Sequence, residues 1–141
     1  ALPIFNALVG NTDDHAFNTG LLCHDVVDGR PVWGLSPAFD ITPNISSPQE
    51  DGPNLAMATG VDGLSGTSLP RLLEAADRLG LAMDGALAWL ATSARTVAEC
   101  WEGMLREAAA PITADVARVD LLIAGVQPSF AYAERLSYEL A

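Results

Sequence analysis

Nine consecutive residues, Gly10-Asn11-Thr12-Asp13-Asp14-His15-Ala16-Phe17-Asn18, gather three ionisable side chains and two amides just after an apolar stretch. A second polar cluster, Ser36-Pro37-Ala38-Phe39-Asp40, follows a sequence that reads as a β-hairpin. A hairpin folding back between the two clusters brings Asp40 next to Asn18. Asp13 can then serve as a base. Asn18 and Asp40 can offer oxygens to a hard cation, which prefers oxygen ligands. His15, two residues beyond Asp13, can reach a phosphate or orient the loop. This is the equipment of phosphoryl transfer from a nucleotide triphosphate, whose charge must be neutralised before a hydroxyl can attack it. The plainer reading is that Asn, Asp and Thr shape turns and cap helices through bonds to nearby backbone N–H groups. Asp14 fits that role better than a catalytic one, as a capping or loop-stabilising residue.

Protein kinases place a catalytic Asp and a metal-binding Asn at the spacing of Asp13 and Asn18, with a further metal-binding Asp beyond a short hairpin. The ordinary kinase signatures are absent: no His-Arg-Asp occurs, and Asp40 is followed by Ile41-Thr42. One family is closer. Asn11-Thr12-Asp13-Asp14-His15-Ala16-Phe17-Asn18, together with Leu35-Ser36-Pro37-Ala38-Phe39-Asp40-Ile41-Thr42-Pro43, resembles the C-terminal domain of HipA-like serine/threonine kinases, toxins of bacterial toxin–antitoxin pairs with a kinase-like fold. The resemblance implies that Asp13 is the catalytic aspartate, that His15 is the catalytic-loop histidine, and that Asn18 and Asp40 bind Mg²⁺ and through it ATP. It also implies a HipB-like, DNA-binding antitoxin as partner and an aminoacyl-tRNA synthetase as substrate; the cytoplasmic location expected here rests instead on Cys23 and Cys100 reading as reduced thiols. Two departures stand out. Phe17 occupies the position where the family usually carries Lys. The chain also has no lysine at all, its basic residues being seven arginines. A kinase needs a phosphate-binding Lys and a glycine-rich loop, so residues 1–141 are expected to be one domain, the C-lobe, without the N-terminal lobe and inactive alone.

Two other function classes fit some of the same residues. An inactive kinase-like lobe that only docks a partner is favoured by Phe17. A metal-dependent phosphohydrolase would use Asp13, Asp14, His15 and Asp40, and requires Asp14 to join the metal site.

The elements that must position these residues follow from pattern. The fold class expected is α+β, mostly α: a small hairpin carrying the motifs on a helical bundle. Residues 2–10 read as the end of a helix with Gly10 as its stop. Leu21-Leu22-Cys23 and Val32-Trp33-Gly34-Leu35 read as strands about an Asp28-Gly29 turn, with Pro31 at a strand edge and Trp33 packed. Residues 41–67 read as loop with a short strand at Leu55-Ala56-Met57-Ala58 and a turn at Gly60-Val61-Asp62-Gly63; that turn has too few alternating acids for a calcium loop. Ser46, Ser47, Ser65, Thr67 and Ser68 are hydroxyls of this region that could accept a phosphoryl group. A helix capped by Ser68 runs to Gly80, with Leu72, Leu73, Ala76 and Leu79 inward and Glu74 paired to Arg78. Asp84 caps the next helix. Its stripe of Leu87, Leu90, Ala94, Val97, Trp101 and Met104 suits a bundle core better than a coiled coil. Pro111 breaks it, Thr113 starts a helix ending at Gly125, and Pro128-Ser129 opens the last.

Composition narrows the classes further. Half of the residues are apolar, which suits a folded core. A net charge of −11 is the wrong sign for a nucleic-acid surface. Cys23 and Cys100 have no metal-ligand spacing and read as reduced, buried thiols. No phosphate-binding glycine loop, nucleophile elbow or membrane-length apolar run is present.

Overall fold

The computed structural model describes residues 2–45 and 51–141; the hydroxyls of Ser46 and Ser47 lie outside them. Helix α1 (Leu2–Leu8) leads into the polar loop, which closes with a 3₁₀ turn at Ala16–Asn18. Strands β1 (Leu21–Val27) and β2 (Arg30–Leu35) follow, then a long irregular segment, then helices α2 (Leu69–Arg78), α3 (Met83–Ala109), α4 (Val116–Val126) and α5 (Ala131–Glu139). The expected mostly helical α+β class is what the chain adopts.

Helices α1 and α2 end in the same way. After α1, Gly10 N–H donates to Ala7 and Asn11 N–H to Asn6; after α2, Gly80 N–H donates to Asp77 and Leu81 N–H to Ala76. Both are Schellman caps, and both glycines take the left-handed conformation that such a cap needs, at φ +69° and +72°. The helix starts depart from expectation. Ser68 precedes α2 but its side chain caps nothing, the start being set by Pro70 in the first turn. Asp84 lies inside the first turn of α3, where its charge suits the helix dipole, and Ala82 holds the cap position. Asp115, not Thr113, caps α4, accepting from Arg118 N–H at 3.2 Å, while Thr113 Oγ1 accepts from Asp115 N–H. Gly125 does not terminate α4, which continues to Val126.

The helices bury two clusters. One joins Ala7 and Leu8 of α1, Leu72 of α2, Leu90 and Ala94 of α3, and Tyr132, Ala133 and Leu136 of α5. The other joins Trp101 and Ala109 of α3 to Val119 and Ile123 of α4. Trp101 stacks on Phe130 with centroids 4.6 Å apart and donates its indole N–H to Glu134. The inward stripes run past the packed region at their ends: Leu79, Met104, Val116 and Leu122 are exposed. Arg78 does not pair with Glu74; it donates to the Thr59 carbonyl, and Arg71 pairs with Asp62 at 2.6 Å.

The hairpin turns at Asp28 and Gly29, with φ of +51° and +73°, the values of a tight type I′ turn. Its register pairs Leu21 with Leu35 and Cys23 with Trp33, and a bulge sets His24 outside the ladder. The His24 ring lies so close to Gly34 that a Cβ there would come within 2.6 Å of it. Both faces of the hairpin are open to solvent, so Trp33 is 58% exposed and not packed. Cys23 and Cys100 are likewise exposed thiols, not buried ones. Leu55–Ala58 forms no strand; an isolated bridge between Asn54 and Gly66, with Leu55 N–H donating to the Ser65 carbonyl and Thr59 N–H to the Leu64 carbonyl, ties this region across. The turn at Gly60–Gly63 is present and is held by Asp62.

Candidate functional site

The polar loop is held from beneath by buried amides. Asn11 is 2% exposed, and its Nδ2 donates to Asn6 Oδ1 at 3.1 Å on the last turn of α1. Its Oδ1 accepts from Thr42 N–H. One side chain thus ties the helix, the loop and the segment after Asp40 together. Two more bonds reinforce the tie: Asn44 N–H donates to the Gly10 carbonyl at 2.8 Å, and Asn44 Nδ2 to Thr12 Oγ1 at 2.9 Å. The bundle supports the same point from the far end of the chain, because Ser129 Oγ donates to the Asn44 carbonyl.

Above this base the candidate residues separate by exposure. The Asp13 side chain is 79% exposed, and its Oδ1 lies 3.9 Å from His15 Nε2. His15 is half-buried, meets Phe17 edge-on, and leaves its buried Nδ1 without a partner among the described residues. Asn18 is buried, and its Nδ2 donates to the Asp13 carbonyl at 3.0 Å. That bond fixes the amide plane and leaves Asn18 Oδ1 with no protein donor among the described residues. Phe17, where the resemblance expects Lys, is 90% exposed.

Asp40 lies beyond the hairpin from these residues. Ser36 N–H donates to the Gly20 carbonyl, closing the ladder at its base, and Phe39 packs beside Gly20. Asn18, at the end of the 3₁₀ turn, precedes that closing pair, and Asp40 follows it in the irregular segment beyond β2. Asp40 is exposed and adopts φ +55°, a left-handed conformation that aspartate tolerates better than most non-glycine residues. No hydrogen bond joins Asp40 directly to Asn18 among the described residues. Asn18 Oδ1 and the Asp40 carboxylate flank the hairpin in sequence and are hard oxygen donors of the kind Mg²⁺ takes.

A family comparison bears on this arrangement. The sequence model described as the HipA-like C-terminal domain matches residues 2–111, which span the loop, the hairpin, Asp40 and the whole of α3. The chain belongs to the HipA-like C-terminal domain family. No curated protein and no solved structure matches it. The relationship is to kinase-like proteins, and it covers every candidate residue named above.

Asp14 of this HipA-like chain departs from expectation. It caps nothing and stabilises no loop: it is 1% exposed, and its carboxylate makes no hydrogen bond or ion pair among the described residues. It lines a separate cavity against α2. The phosphohydrolase reading needs Asp14 in a metal cluster with Asp13, His15 and Asp40. Among the described residues no three His, Cys, Asp or Glu side chains are placed to hold a metal. Of the loop hydroxyls, Thr67 is fully buried and donates to the Pro53 carbonyl, which removes it as an acceptor of a phosphoryl group. No helix among the described residues is long and apolar enough to cross a membrane.

Sequence reasoning missed Asn6, Asn11 and Ser129 as supports of the loop. Asn6 carried a signal: an amide on the otherwise apolar inner face of a helix needs a buried partner, and Asn11 was the amide within reach.

Proposed function

We propose that this chain is the catalytic-loop and metal-site portion of a Ser/Thr protein kinase of the HipA-like type. It would move the γ-phosphoryl group of ATP to a hydroxyl on a protein. The observation that carries the reading is the Asn18 amide bonded to the Asp13 carbonyl. It holds the Asn18 amide against the backbone of a residue whose carboxylate is exposed, at kinase spacing, and this supports the reading.

In this reading the Asp13 carboxylate accepts the proton of the substrate hydroxyl as its oxygen bonds to the γ-phosphorus and the bond to ADP breaks. His15 sits beside Asp13 and orients it or contacts phosphate. Asn18 and Asp40 would hold Mg²⁺, which supplies charge neutralisation of the phosphates when bound. The family resemblance adds a HipB-like antitoxin as partner and an aminoacyl-tRNA synthetase as substrate, and the cytoplasm is the location that goes with this reading.

A second reading, an inactive lobe that docks a partner, is favoured by Phe17, which projects into solvent where the family usually has Lys. Phosphotransfer from labelled ATP by the full-length protein, beside its Asp13→Asn variant, separates the two. Incorporation that disappears in the variant supports the kinase. A folded wild type that transfers nothing, with and without candidate substrates, supports the docking lobe.

A further inference from the structure

Asp13 and Asp14 are neighbours with opposite fates. Asp13 faces solvent. Asp14 turns inward to the wall of a cavity of about 310 Å³ between α1, α2 and the segment around residues 55–59. That volume is at the lower end of the range of ligand pockets. The walls beside Asp14 are apolar, with Leu55, Met57, Leu72 and Leu79 among them, and Arg78 stands at the rim, its guanidinium donating to the Thr59 carbonyl. A buried carboxylate with no donor is costly, because desolvation is not offset by any bond. Buried polar groups are almost always satisfied. A donor that enters the cavity would supply the missing partner of Asp14 Oδ2.

The cavity specifies that donor. Its walls call for an apolar stem, and its one free carboxylate calls for a single cationic tip. A lysine side chain has both, a four-carbon stem and an ammonium group. Arginine, with five donors and a bulkier planar head, would leave more of them unpaired in an apolar wall than lysine with three. Charge favours the same partner: the chain carries a net −11 and has no lysine of its own.

We infer that the Asp14 cavity takes a lysine side chain of the protein substrate, at a fixed offset from the phosphoacceptor hydroxyl. The inference rests on the kinase reading for its substrate, and its offset comes from the adjacency of Asp13 and Asp14. Asp14 is then a specificity-determining residue, not a catalytic one. The base stays on the solvent side, and the next residue along the chain reads the substrate from within.

The test uses the full-length protein and serine peptides carrying lysine at each position flanking the acceptor, beside the same peptides with norleucine, which keeps the stem and lacks the charge. Binding is read by calorimetry and transfer by labelled ATP. At one position lysine should bind roughly 10-fold or more tighter than norleucine, as a charge-assisted bond to a buried carboxylate allows. The preference should vanish in Asp14→Asn. Leu79→Trp, at an exposed position on the rim, should also abolish it without touching the core. Equal binding of the lysine and norleucine peptides at every position would overturn the inference and leave a cavity filled by water alone. So would a lysine preference that survives Asp14→Asn. Lysine-selective binding without phosphotransfer would keep the inference and defeat the kinase reading; phosphotransfer without lysine preference would do the reverse.

Discussion

Replacing Gly10 by alanine is the sharpest probe of how the loop is held. Two penalties act at this position. At φ +69° an L side chain is strained, which costs about 1–2 kcal/mol. A Cβ would also sit 2.8 Å from the Ser129 carbonyl oxygen and 3.1 Å from its Cα and Cβ. These are backbone and short side-chain atoms that cannot swing away, and overpacking of this kind costs about 1–3 kcal/mol more. Gly80 provides the control: it has the same cap and almost the same φ, and no atom lies within 4 Å of where its Cβ would stand. Gly80→Ala should lose only the strain. By urea or thermal unfolding Gly10→Ala should be the less stable of the two, with a melting temperature lower by roughly 5–10 °C at a few degrees per kcal/mol. Because Asn44 bonds both Gly10 and Ser129, Gly10→Ala should also depress phosphotransfer, and Gly80→Ala should not. Equal losses of stability in the two variants would refute the proposed contact between the loop and Ser129.

Asn18→Ala removes the bond to the Asp13 carbonyl and one proposed Mg²⁺ ligand; transfer should fall about 10²-fold or more, with the melting temperature far less affected, and retention of full rate would exclude Asn18 from the site. Shortening the hairpin by its Asp28-Gly29 turn should abolish transfer while circular dichroism shows the bundle intact, since neither buried cluster includes a hairpin residue. The Arg71 guanidinium and the Leu64 N–H hold the Asp62 carboxyl at about 2, below its ordinary 3.8. A lowered folded-state value gives stability that is present above about pH 4 and is lost as pH falls toward about 2. Acid titration of Asp62→Asn should therefore show lower stability at neutral pH and a shallower decline over that window.

The parts of this fold that were legible in the sequence are those with a strong local cause. The Asp28-Gly29 turn needs two positive φ angles, and few other dipeptides supply them. Leu90, Ala94 and Trp101 announce a helix through their spacing, and their burial follows. The errors arose where tertiary context chose among locally equivalent residues. Ser68 and Asp115 are both good caps by type, but only Asp115 is used. Leu55 and Met57 alternate as a strand would, yet they have no partner strand to pair with and line a cavity instead. Cys23 and Trp33 look like core residues but sit on a two-stranded ribbon with neither face covered. For the site, the spacing of Asp13, Asn18 and Asp40 was readable, whereas the different environments of Asp13 and Asp14 were not. Nothing in an Asp-Asp pair says which carboxylate will face inward.

The latch between Asn44 and Ser129 joins residues 85 apart in sequence. A ribosome completes the loop, the hairpin and Asp40 long before it reaches Ser129. Contacts so distant in sequence also form late because their loop-closure entropy must be met first. The loop can be chemically complete in the nascent chain while the support that fixes it is still untranslated. Any chemistry that depends on the latched geometry therefore waits until Ser129 has been made and has reached Asn44. The family match ends at residue 111, so this latch draws on a residue outside the matched segment.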